Sequence, residues 1–121
     1  MYRIKQIAPV LAVEDMETTL RFYEEVLLFQ RTSEGHDYAN VEKDGFEIHL
    51  VGESTKEAER AIRGQAIVYI EIEGIDELWE HVSKFDGRFA VEGLIDRGYG
   101  MREFHLEDPN GYMVYVGEER A

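Results

Sequence analysis

Two short stretches set a carboxylate beside an imidazole at a spacing of two: Glu47 and His49 in "FEIHLV", and Glu103 and His105 in "MREFHLE". Strand side chains two apart share a face, so each pair would sit together on one side of a sheet. Such groups can move protons, ligate a cation or orient a ligand by hydrogen bonds. The same alternation puts Ile67, Tyr69 and Glu71 of "AIVYIEI" on one face, and Met113 and Tyr115 of "YMVYV" on another. If these four strands form one curved sheet with helices outside, its concave face collects Glu47, His49, Tyr69, Glu71, Glu103, His105 and Tyr115 around Ile67 and Met113. Aromatic, apolar and ionisable groups together suit the wall of a ligand pocket. The plainer alternative is a solvated sheet face. Phe46, Ile48 and Leu50 take the opposite face and are expected to pack on a helix, while Arg102 is expected to pair with a carboxylate or order the pocket mouth.

The elements that must position these groups come as an internal repeat. "QIAPVLAVEDMETTLRFY", from Gln6, superposes without a gap on "QAIVYIEIEGIDELWEHV", from Gln65. Both run as strand, acidic turn and amphipathic helix. Met16, Leu20, Tyr23 and Leu27 form the first helical stripe, with Asp15 as N-cap; Ile75, Leu78, Val82 and Phe85 form the second, with Gly87 beyond it. Trp79 is expected to pack between helix and sheet or at an interface, rather than to serve as a ligand platform. Three β-like runs follow each helix, punctuated by Asp44-Gly45 and Asn110-Gly111. Each half therefore predicts strand, helix and three strands: module one over about 1–52, a polar linker over 53–64 with a possible Ser54/Glu57 capping box, and module two over about 65–118.

The bulk properties limit the function classes. A length of 121 residues, 44% apolar, suits one domain. No apolar run is long enough to span a membrane, and the N-terminus lacks a signal-peptide cleavage pattern, so a cytoplasmic protein is expected. The absence of cysteine removes disulfides, thiolate ligands and a thiol nucleophile. A formal charge of −13 opposes nucleic acid and anionic lipid and favours cations. No Gly-rich phosphate loop occurs, and Ser33, Ser54 and Ser83 stand in no nucleophile signature.

The repeat, "APVLAVEDMETTLRFY" and "GMREFHLEDPNGYMVYV" together resemble the vicinal oxygen chelate superfamily of glyoxalases, extradiol dioxygenases and bleomycin-resistance proteins. The resemblance covers nearly the whole chain. It implies an α+β fold over residues 1–121 in which two βαβββ modules form a cupped, partly open eight-stranded barrel, as a homodimer. Metal-dependent members carry ligands on the first and fourth strands of each module. By position these fall on Ala8, Glu47 (or His49, if the hairpin register shifts), Ile67 and Tyr115, so one matching donor remains. The resemblance is greatest to the bleomycin-resistance proteins, which sequester a bulky cationic drug at a dimer interface without metal or chemistry. It implies metal-independent binding of an amphipathic, cationic small molecule, with no cofactor. Glu47, Glu71 and Glu103 would supply charge, Tyr69, Tyr99 and Tyr115 flat surfaces, and His49 and His105 directional hydrogen bonds. The alternative is a metal-dependent lyase, isomerase or dioxygenase with an atypical ligand set, for example one relocated to Glu47, His49, Glu103 and His105.

Overall fold

The computed structural model describes residues 1–52, 57 and 61–120. The chain divides into two compact units, Met1–Ala61 and Ile62–Ala121, each built as strand, helix and three strands. The first contains β1 (Val10–Ala12), α1 (Met16–Arg21) continued by a π-helical turn (Phe22–Val26), β2 (Gln30–Gly35), β3 (Tyr38–Lys43) and β4 (Phe46–Val51). The second contains β5 (Ile67–Glu71), α2 (Ile75–Ser83), β6 (Ala90–Asp96), β7 (Met101–Glu107) and β8 (Met113–Glu119). The capping box expected at Ser54 lies outside the described residues.

The two sheets are wound identically. The first has the order β1-β4-β3-β2 and the second β5-β8-β7-β6. In each, the first strand runs parallel to the last, and the remaining pairs are antiparallel. The eight described strands thus form two mixed sheets and no closed barrel. This corrects one expectation: β4, which carries Glu47 and His49, does not share a sheet with β5, β7 and β8. β1 is short because Pro9 just before it has no N–H for a ladder; its carbonyl still accepts from His49 N at 2.9 Å.

Local chemistry explains most element ends. Asp15 caps α1 by accepting from Thr18 N at 2.9 Å, which holds its carboxyl below the usual range despite some burial. The helical stripe then departs from simple periodicity, because Phe22, Tyr23 and Val26 are all buried together with Leu20 and Leu27. The widened π turn lets adjacent aromatic residues share the core, with the Phe22 and Tyr23 rings edge-on at 5.0 Å. At the hairpin between β3 and β4, Asp44 and Gly45 take positive φ of 52° and 88°, the backbone of a two-residue primed turn. Phe46 beside it is 76% exposed rather than packed, whereas Ile48 and Leu50 are buried as expected. In the second unit Ile75 and Val82 are buried, and Trp79 packs at 5.0 Å on Phe104 of the sheet.

One cap comes from far away in sequence. α2 starts at Gly74, which has positive φ and no side chain to offer. Glu118, at the end of β8, fills the role: its carboxylate accepts from Gly74 N at 3.2 Å and Ile75 N at 3.0 Å. The negative charge also faces the positive end of the helix dipole. Glu118→Ala is expected to lower the unfolding free energy by about 1 kcal/mol, with Glu118→Gln losing less. Urea melts measure this, and amide exchange at Gly74 and Ile75 should accelerate in the same variants.

Candidate functional site

In the second unit the strand register assembles one polar face. Tyr69 pairs with Tyr115 and Glu71 with Gly117; His105 pairs with Tyr115 and Glu103 with Gly117. The alternate residues Phe104, Leu106, Val114 and Val116 are buried on the side of α2. The face therefore contains Tyr69, Glu71, Glu103, His105 and Tyr115, as the alternation predicts.

Glu103 is the centre of this face and is 0% exposed. The Tyr69 hydroxyl donates to its Oε2 at 2.6 Å, and the Tyr99 hydroxyl donates to its Oε1 at 2.6 Å. Burial alone would raise the Glu103 carboxyl, but these two bonds and the nearby His105 outweigh it and hold the group below the usual carboxylate range. The same contacts act in reverse on the phenols. Tyr69 is pushed up by burial and by Glu103, and Tyr99 by its hydrogen bond to Glu103 and then by burial. Both phenols stay protonated donors to Glu103, and their oxygens keep lone pairs for another donor.

Arg97 and Glu92 complete the arrangement. Arg97 Nη2 lies 3.1 Å from Glu92 Oε2, and Nε lies 3.3 Å from Glu103 Oε1. The Glu92 hydrogen bond raises Arg97 and is the main cause lowering Glu92. His105 Nε2 stands 3.2 Å from Arg97 Nη2 and 3.2 Å from Glu103 Oε1, while Nδ1 stands 3.3 Å from Glu92 Oε2. Arginine can only donate and a carboxylate can only accept. An imidazole with its proton on Nδ1 therefore donates to Glu92 and accepts from Arg97 at Nε2, one with its proton on Nε2 donates to Glu103, and the doubly protonated ring donates to both carboxylates. The His105 ring lies flat on Tyr115, with centroids 3.6 Å apart and planes 6° apart, which makes a double aromatic ledge.

Gly117 gives this face its room. A Cβ there would overlap the Tyr69 hydroxyl and lie 3.0 Å from Tyr69 Cζ and 3.2 Å from Glu103 Cγ. Its signal was present in the sequence, because 113, 115 and 117 alternate onto one face, but a missing side chain draws no notice. Arg97 and Glu92 carried a weaker signal. Irregular pairing between β6 and β7 breaks the alternation at 90–95, and Arg97 lies in the following turn.

The first unit has its own smaller group. His49 Nε2 lies 3.0 Å from Glu47 Oε1, Asn40 Nδ2 lies 3.4 Å from that same oxygen, and Gln6 Nε2 approaches His49 Nε2 at 3.4 Å. Asn40 and His49 are direct cross-strand partners. Val10 pairs with His49, and in the repeat Val10 superposes on Tyr69, which pairs with Tyr115. His49, rather than Glu47, therefore holds the place in module one that Tyr115 holds in module two. Arg102, in the second unit, pairs with Asp76 and Asp96 at 3.1 Å each, as a carboxylate partner should.

A repeated βαβββ unit with a parallel first and last strand, a helix on one face and polar groups on the other defines a paired-module α+β protein. The profile of the Glyoxalase/Bleomycin resistance protein/Dioxygenase superfamily matches residues 3–116, and the chain belongs to that superfamily. It is 28% identical over 122 residues to a bleomycin resistance protein of Geobacillus stearothermophilus, across 90% of this chain and 92% of that one. Among solved structures it is similar to a virulence protein of Salmonella typhimurium, with a TM-score of 0.80 and 25% identity over 98% of this chain and 99% of that one. It shares its fold with a superfamily member from Sphaerobacter thermophilus, with a TM-score of 0.80, 21% identity and coverage of 97% and 98%.

The metal used by some members of the superfamily can be tested against the residues present. Ala8 and Ile67 have no donor atom, and Tyr115 is stacked on His105. Among the described residues no three His, Asp or Glu side chains are grouped so as to hold a metal ion. In the second unit the guanidinium of Arg97 already stands between Glu92 and Glu103, where it would repel a dication. This donor set does not fit a divalent ion. Among the described residues no helix is long and apolar enough to cross a membrane.

Proposed function

We propose that this protein binds an amphipathic, cationic small molecule without metal or chemistry, in the manner its resemblance to bleomycin resistance proteins implies. The arrangement that supports this is the face around Glu103. Two phenols are pinned by one buried carboxylate beside a flat His105–Tyr115 stack. Aromatic faces attract flat cationic groups, and phenol oxygens that donate to Glu103 accept well from a ligand N–H. Glu71, exposed on the same face, and the overall charge of −13 favour a cation. Glu103 itself is covered, so its part is to position Tyr69, Tyr99 and His105 rather than to touch the ligand.

Titration calorimetry with metal-free bleomycin tests the reading. Saturable binding is expected, and Tyr115→Ala should weaken it by about tenfold or more, in line with the loss of a stacking surface worth about 1–3 kcal/mol. No heat of binding with bleomycin or phleomycin would reject this ligand class. The homodimer is part of the same proposal. Exposed Phe46, Ile67 and Val91 are apolar surface of the kind a partner covers, and sedimentation analysis should give twice the chain mass.

A further inference from the structure

We propose that Arg97 is a specificity-determining residue of the second-unit face, its Nη1 taking a neutral carbonyl oxygen beside a flat ring, so that the face reads an aryl amide. The proposal deepens the binding reading above and rests on it for the presence of a ligand on the His105–Tyr115 ledge.

The basis is how little of its fork Arg97 uses. Arg31 and Arg102 use theirs in full. Arg31 donates from Nε, Nη1 and Nη2 to Glu17, Glu24 and Glu34, and Arg102 donates from the same three nitrogens to Asp76 and Asp96. In Arg97, Nη2 alone meets both Glu92 Oε2 at 3.1 Å and His105 Nε2 at 3.2 Å. Nε lies 3.3 Å from Glu103 Oε1, but it is closed to solvent and makes no hydrogen bond, because the Tyr99 hydroxyl holds that oxygen at 2.6 Å. Nη1 has no acceptor among the described residues and, unlike Nε, is open to solvent. The Arg97 side chain is only 19% exposed, and an unmatched donor in such a place is unfavourable. The backbone fixes the residue there: Arg97 N donates to Met101 O at 2.7 Å and Gly100 N donates to Arg97 O at 3.3 Å, closing the turn on both sides.

The surroundings narrow the acceptor. Glu92 and Glu103 are both held ionised and both face the guanidinium, so its single charge is already more than balanced. A carboxylate on the ligand would meet two carboxylates beside its partner, whereas a neutral carbonyl oxygen takes a charge-assisted hydrogen bond without that repulsion. The Tyr69 and Tyr99 hydroxyls give their protons to Glu103 and keep lone pairs for a donor. Both residues are part-exposed. One donor at Arg97 and acceptors at the phenols match the two ends of an amide, and the His105–Tyr115 stack supplies the surface for the ring it is attached to.

The test compares three probes that share a ring and an ammonium group: benzylamine, para-aminomethylbenzamide and para-aminomethylbenzoate. Each is titrated into the whole protein and followed by the ring NMR signals of His105 and Tyr115. The benzamide is expected to bind about tenfold or more tighter than benzylamine, and the benzoate more weakly than the benzamide. In Arg97→Lys, which keeps the charge but lacks the planar fork, the preference for the benzamide over benzylamine should collapse. Equal binding of these two probes by the unaltered protein would overturn the inference and leave the binding reading standing. Binding of none of the three would overturn both. Tighter binding of the benzoate would overturn the neutral acceptor. A preference that survives in Arg97→Lys, with all affinities lowered alike, would overturn the recognition role and leave Arg97 a purely structural one.

Discussion

Glu103→Ala should lower the unfolding free energy by about 2–3 kcal/mol and abolish ligand binding to the aromatic face. The carboxylate is fully buried and accepts from Tyr69 and Tyr99 at 2.6 Å each. Without it both phenols lose their anchor, and Arg97 keeps Glu92 and His105. The cost stays below that of an orphaned buried charge, because Arg97 still has Glu92 and the tyrosine rings can reach water. Glu103→Gln preserves shape and one strong acceptor, so it should lose roughly half as much. Urea melts with an unchanged m-value would identify a local loss rather than an expanded native state. Full stability in Glu103→Ala would mean that the tyrosine bonds add nothing net.

The same carboxylate gives the acid dependence a definite sign. Its folded pKa is depressed, so its stabilisation is fully present above the unfolded value of about 4.3. As pH falls from there, the unfolded chain takes up the proton first and stability drops. Below the folded pKa both states are protonated, and the contribution is gone. Glu92 is depressed by Arg97 and adds in the same direction, but it is part-exposed and worth little. In Glu103→Gln the acid limb of the stability curve should flatten.

Gly117→Ala is the second large effect, expected at about 2 kcal/mol. The backbone there does not need a left-handed conformation, so the cost is purely steric. The new methyl would fall on the Tyr69 hydroxyl, and Tyr69 must leave Glu103 or the strand must shift. Binding should fall as well, since the displaced ring would project into the face. Tyr69→Phe separates the two causes. It removes the hydroxyl that collides with Cβ, so Gly117→Ala in a Tyr69→Phe background should cost clearly less than the sum of the single changes. Strict additivity would mean that the two residues do not press on one another.

Alternation and periodicity made the two βαβββ units legible, together with the Asp15 cap, the Trp79 contact and the shared face of Tyr69, Glu103, His105 and Tyr115. These follow from rules of period 2 and 3.6, which act within one element and its immediate neighbours. The π turn was not legible, because it answers the burial of Phe22 beside Tyr23 rather than a local preference. Nor was the Glu118 cap of α2, which spans 43 residues of sequence.

Alternation along each strand is enough to say which residues share a face, and so which could meet. What each one does there depends on the packed fold. It buried Glu103 beneath two phenols, brought Arg97 in from a turn to balance it and cleared space at Gly117. Those outcomes depend on cross-strand register and on distances between side chains remote along the chain, which no period in the sequence encodes.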